Sequence, residues 1–178
     1  MKFTELSLPG VYVIDIQPHA DSRGWFARTW DEGEFAAQGL VAQLSQCSIS
    51  FNAKRGTIRG MHFQEAPHEE TKIVSCLAGS ILDVVIDLRK TSDAYGKHIA
   101  VELSVNTHTM LYIPRGCAHG FQTLEDDTTV QYQISDPYVP QAARGIRWND
   151  EAFGIQWPLP VSVISERDNT YSNFYDNR

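Results

Sequence analysis

The chain has 178 residues, a length that suits one domain able to bury a sizeable core without a disulfide or metal staple. Hydrophobic residues make up 42% and charged residues 21%, the balance of a soluble globular protein rather than a disordered one. A formal charge of −7 with no Lys/Arg run argues against nucleic acid or anionic membrane as partners, and no apolar run reaches the roughly 20 residues of a membrane span.

Turn residues separate short β-like runs along most of the chain. In order, strands are predicted over 10–17, 44–51, 56–64, 71–77, 80–88, 98–103, 109–113, 119–123 and 129–135. One short helix is predicted over 31–38, where WDEGEFAAQG sets acids early and a glycine at the end. Alternation is clear in SILDVVIDLRK: Leu82, Val84, Ile86 and Leu88 face one way, and Asp83, Val85 and Asp87 the other. No repeat, low-complexity tract or linker interrupts the series, so residues 1–178 are read as a single domain. Many short strands with little helix predict an all-β sandwich or barrel.

Cys47, Cys76 and Cys117 are odd in number and form no CxxC pair, which fits a reducing compartment. The opening MKFTELSLPGVYVIDI has neither the apolar core nor the cleavage site of a signal peptide, so a cytoplasmic protein is expected.

The stretch TIRGMHFQ, Thr57 to Gln64, sets charged and polar side chains in a run that otherwise belongs to a core. Strict alternation sends Ile58, Gly60, His62 and Gln64 to one face and Arg59 to the other. Gly60 could admit a bulge that re-aims one side chain, or Arg59 could serve a neighbouring subunit, and the residues leave both open. A second stretch, YIPRGCAHGF, carries Pro114, Gly116 and His119 in the P-x-G-x-x-H spacing of the second cupin motif. The first cupin motif, G-x5-H-x-H, is matched by Gly56 and His62 but has Gln64 where its second histidine belongs. Gln64 is a poor transition-metal ligand, and Glu69 or Glu70 would complete no more than a weak site.

Ordered matches continue through DSRGWF, KIV, GSILDVVIDLR, YGK, VQYQISDPY, GIRWND, IQWP and ISERD. With these the chain resembles the dTDP-4-dehydrorhamnose 3,5-epimerase family of cupins. The resemblance implies a cupin-like double-stranded β-helix, a jelly-roll barrel with a few short peripheral helices. It also implies a homodimer, no metal and no cofactor. GVYVIDIQ is a candidate for a strand exchanged between the two subunits. The implied substrate is a dTDP-linked 4-keto-6-deoxyhexose, most simply dTDP-4-dehydro-6-deoxy-D-glucose, converted to dTDP-4-dehydro-L-rhamnose. The C4 ketone acidifies the protons on C3 and C5, because each carbanion delocalises onto O4 as an enolate. The chemistry requires a base on one face, a cation near O4 and an acid on the opposite face.

By resemblance His62 is the base, since imidazole has an ordinary pKa of about 6.5. Asp168 matches the carboxylate that fixes its tautomer and stabilises the imidazolium. Tyr132 matches the acid; a phenol, with an ordinary pKa of about 10, stays protonated at neutral pH. Lys72 matches the enolate stabiliser, and Asp83, inward by the alternation count, is a candidate to orient it. Arg23 and Arg59 match phosphate contacts, Phe26 falls in the same substrate-binding motif as Arg23, His119 lines the sugar end, and Tyr138 stacks on the base.

Some positions depart from the family pattern. Arg28 stands where glutamate is usual, Cys47 lies near a common asparagine, and SFNAKRG is longer than in many members. A relative acting at C3 or C5 alone, or on another nucleotide 4-keto sugar, is therefore the nearest alternative. A metal-dependent cupin using His62, Gln64, an acid and His119 is a second. A non-catalytic sugar-nucleotide module is a third, against which the joint presence of His62, Tyr132 and Asp168 argues.

Overall fold

In the computed structural model, which describes residues 1–174, the alternating runs become strands. In chain order these are β1 (Lys2–Glu5), β2 (Tyr12–Asp15), β3 (His19–Asp21), β4 (Gly24–Phe26), β5 (Gln46–Asn52), β6 (Thr57–Gln64) and β7 (Lys72–Ala78). They continue as β8 (Ser80–Asp87), β9 (His98–Ser104), β10 (Thr109–Ile113), β11 (Cys117–Thr123), β12 (Thr128–Ile134), β13 (Ala143–Gly145) and β14 (Val163–Ile164). Two short helices, α1 (Glu32–Ala37) and α2 (Glu166–Asn169), complete the described elements. One sheet runs β1-β2-β10-β7-β12-β5; the other runs β13-β6-β11-β8-β9, with β14 parallel to β6. β3 and β4 form a separate hairpin.

The two sheets share an interior: Val74, Leu111 and Val130 from the first meet Ile81, Val85, Leu103 and Phe121 from the second. Side chains of β8 with the opposite phase, Val84 and Ile86, pack outward with Met61 and Ala118 under Ile146 and Phe153. Both faces of β8 are therefore buried, as its near-continuous apolar run requires. On the outer face of the first sheet, Phe35 of α1 packs with Ile73 and Tyr112. The helix begins where Asp31 Oδ1 accepts from the Glu34 amide at 3.0 Å, a side-chain cap of a kind that adds about 1 kcal/mol.

Each of the nine predicted strands is present, displaced by at most two residues at either end. The unpredicted pieces β1, β3, β4, β13, β14 and α2 are two to four residues long and too short to establish a period. In the segment considered for exchange, β2 pairs on both edges, with β1 and with β10. Its backbone groups are thereby satisfied without a partner subunit.

Candidate active site

The placement of Arg59 and His62 depends on one irregularity. His62 lies opposite His119, and Arg59 opposite Phe121, so Gly60 and Met61 together face Gly120 alone. The extra residue is a β-bulge, and it changes the phase of the strand between positions 59 and 62. Gly60 has φ +130°, and a Cβ there would stand 2.5 Å from the Gly120 Cα, so both the backbone conformation and the close approach require glycine. Met61 goes to the outer cluster while Arg59 and His62 line the same cavity. Of the two arrangements open for Arg59, the bulge is the one found.

That cavity has a volume of about 410 Å³. His62 is half-exposed in it, and its Nε2 donates to Asp168 Oδ1 at 2.7 Å, leaving Nδ1 free to take a proton. Asp168 sits on α2, whose Ser165 caps the helix by accepting from the Asp168 amide at 3.1 Å. Its second oxygen accepts from the Gly60 amide at 3.2 Å, so the bulge also helps hold the carboxylate. Burial pushes the Asp168 carboxyl up, but the bonds from His62, Gly60 and Ser165 outweigh it and keep the group below the usual carboxylate range.

Tyr132 lines the same cavity from β12 and packs against the interior cluster. Burial pushes its phenol up to about 12, against the lowering effect of a Ser50 hydrogen bond. The phenol is therefore a neutral donor across the ordinary pH range. Lys72, at the start of β7, is nearly buried and pairs with Glu70 at 2.9 Å. Glu70 also accepts from Gln64 Nε2 at 2.8 Å. Gln64 donates as well to the carbonyls of His68 and Pro137, and its Oε1 accepts from Val139, so the glutamine is bound into the protein rather than offered as a ligand. No group of three or more His, Cys, Asp or Glu side chains with metal-binding geometry exists among the described residues.

The cavity wall carries more cations than acids, with Glu70 paired to Lys72 and Glu65 to Arg144. Arg59, Lys72, Arg144 and Arg167 line it, with Tyr138 more than half exposed at the same site. His119 faces His62 across the strand pair, and its Nε2 donates to the fully buried Asp83 at 2.5 Å.

One expectation requires correction. Asp83 does not orient Lys72; it holds His119, because the inward phase of β8 delivers it beneath β11, where it lies opposite Phe121. Lys72 takes its carboxylate from Glu70, two residues away in sequence. Arg23 and Phe26 do not line this cavity; they lie on the β3–β4 hairpin, with Phe26 71% exposed and Arg23 bonded to Asp21. Residues missed by the sequence reading are Ser50, Arg144 and Arg167. Arg167 adjoins Asp168 in ISERD, and Ser50 belongs to the polar i, i+2 series Gln46, Ser48, Ser50, so both carried a usable signal.

A jelly-roll barrel with a His–Asp pair, a neutral half-buried phenol and a lysine around one arginine-lined cavity defines a cupin-like protein equipped for proton transfer on an anionic ligand. A family profile described as dTDP-4-dehydrorhamnose 3,5-epimerase matches residues 5–176. A dTDP-4-dehydrorhamnose 3,5-epimerase of Sinorhizobium fredii is 39% identical over 171 residues, 96% of this chain and 88% of that protein. One from Methanothermobacter thermautotrophicus is 38% identical over 180 residues, 99% of this chain and 96% of its own. The crystal structure of the Elizabethkingia anophelis enzyme superposes with a TM-score of 0.95 at 34% identity, covering 99% of this chain and 97% of that one. The chain belongs to the dTDP-4-dehydrorhamnose 3,5-epimerase family.

Proposed function

We propose that this protein epimerises dTDP-4-dehydro-6-deoxy-D-glucose at C3 and C5, giving dTDP-4-dehydro-L-rhamnose without a cofactor. The observation that carries the reading is the 2.7 Å His62–Asp168 pair in one cavity with Tyr132 and Lys72. In this reading His62 Nδ1 removes the proton from C3 or C5. Asp168 holds the tautomer and stabilises the imidazolium. Lys72, already nearly desolvated, meets the charge that develops on O4. Tyr132 returns a proton to the opposite face, inverting the carbon. The diphosphate falls to Arg59 with Arg144 and Arg167, Tyr138 stacks on the base, and His119, held by Asp83, lines the sugar end.

We further propose that residues 1–178 act as one domain and as a homodimer in the cytoplasm. The exposed hairpin bearing Arg23 and Phe26 supports a dimer in which each hairpin enters the neighbour's cavity and adds to its substrate contacts. Three free cysteines support a reducing compartment, and no helix among the described residues is long and apolar enough to cross a membrane. Light scattering after size exclusion tests the dimer.

Incubation with the ketosugar in D2O tests the reaction. Deuterium at both C3 and C5 by NMR is the expected outcome. Label at one carbon overturns the double inversion and assigns a single-carbon epimerase. No label overturns the reading altogether.

A further inference from the structure

We propose that Ser50 is a positioning residue for Tyr132, aiming the phenol's proton into the cavity and, through water, restoring it after each transfer. This rests on Tyr132 being the acid of the proposed reaction.

A chain of hydrogen bonds gives the arrangement a direction. Arg59 Nε can only donate, and it donates to Asn52 Oδ1 at 2.7 Å. That bond fixes which end of the buried amide faces the arginine. Asn52 Nδ2 is turned to the Thr128 carbonyl at 3.2 Å and to the carbonyl and Oγ of Ser50, both at 3.4 Å. An amide nitrogen does not accept, so Ser50 Oγ accepts there and keeps its own proton for Tyr132 Oη, 3.3 Å away; either hydroxyl can donate in the resting pair, and once Tyr132 has given up its proton only Ser50 can. In the proposed arrangement the phenol accepts from Ser50, which leaves its O–H free for the substrate. Ser50 is opposite Val130 and Tyr132 opposite Ser48, so the two hydroxyls meet as diagonal neighbours across β5 and β12.

The reaction creates a need for such a group. When the Tyr132 O–H bond breaks and a C–H bond forms on the enolate carbon, a phenolate is left in a half-buried position whose desolvation disfavours charge. Ser50, partly exposed and lining the cavity, then gives its proton to the phenolate as a water molecule gives one to Ser50. The hydroxide so formed takes the proton of the His62 imidazolium, which returns to the free base. No oxidant or reductant is consumed. Inversion of two carbons requires this reset between them.

Ser50→Ala, Ser50→Thr and Tyr132→Phe test the proposal, with turnover, dTDP binding by calorimetry and deuterium wash-in at C3 and C5 as readouts. Ser50→Ala is expected to lower kcat roughly tenfold to a hundredfold with dTDP affinity unchanged, the range for losing a hydrogen bond to a charged group. Label should then accumulate at the first carbon relative to the second. Ser50→Thr, which keeps the hydroxyl, should restore most of the rate. A Ser50→Ala enzyme with wild-type kcat and wild-type labelling, beside an inactive Tyr132→Phe, overturns the relay and leaves the acid assignment standing. A Ser50→Thr enzyme as slow as Ser50→Ala also overturns it. An active Tyr132→Phe enzyme removes the acid assignment and the relay together.

Discussion

Replacing Asp168 by asparagine tests the proposed base through the group that holds it. The carboxylate accepts from His62 Nε2 at 2.7 Å and from the Gly60 amide at 3.2 Å. Asparagine fits the same space but has one acceptor and one donor end. If its oxygen stays with Gly60, its NH2 faces His62 Nε2, which must then become an acceptor and carry its proton on Nδ1. The atom facing the sugar is no longer basic. Loss of a charge-assisted bond to the imidazolium alone is worth about 1.5–3 kcal/mol, roughly tenfold to a hundredfold in rate. A wrong tautomer extends that to as much as about 10⁴-fold, the figure seen when the aspartate of a serine-protease triad is similarly replaced. The assay is kcat from product formation by NMR, with dTDP affinity by calorimetry and circular dichroism as controls for binding and folding. The expected result is a kcat loss of roughly 10²- to 10⁴-fold with dTDP affinity retained. A folded Asp168→Asn enzyme at near wild-type kcat would refute the His62–Asp168 mechanism.

Other outcomes follow from the same contacts. The Asp168 carboxyl is held below its ordinary value in the folded protein, whereas an unfolded aspartate titrates at about 3.9. Its contribution to stability is therefore present above about pH 4 and is lost as pH falls through the depressed folded value. Denaturation midpoints from pH 7 to pH 3 should decline less steeply in Asp168→Asn than in the wild type; identical acid slopes would contradict the linkage. Gly60→Ala places a Cβ 2.5 Å from the Gly120 Cα at φ +130°, and backbone cannot move aside as a flexible side chain would. It should cost roughly 1–3 kcal/mol or more in chemical denaturation and disturb the Arg59–His62 alignment, and an unchanged midpoint would refute the bulge argument.

Much of the framework was legible because it is local. In β8, Val84 and Ile86 alternate with Asp83 and Val85, and a strand alternates faces wherever it is placed. The helix over Glu32–Ala37 announced itself through Asp31 and the early acids. His62, Tyr132, Lys72 and Asp168, which the structure brings together around one cavity, had likewise stood out as motif matches. The hairpin carrying Arg23 and Phe26 was not, since three-residue strands hold too few positions to show a period.

The pairing of side chains lay beyond the sequence, because it depends on register between strands distant in the chain. Asp83 and Lys72 are 11 residues apart, yet Asp83 belongs to His119 and Lys72 to Glu70. Asp168 reaches His62 across 106 positions because β14 lies beside β6 and α2 follows directly. A single extra residue at Gly60 decided whether Arg59 and His62 share a cavity, and alternation alone predicted the opposite. Composition and period determined which segments are strands and which faces are apolar. The barrel's closure determined which polar groups meet, since a buried donor or acceptor takes whatever partner the neighbouring strand brings within hydrogen-bonding distance.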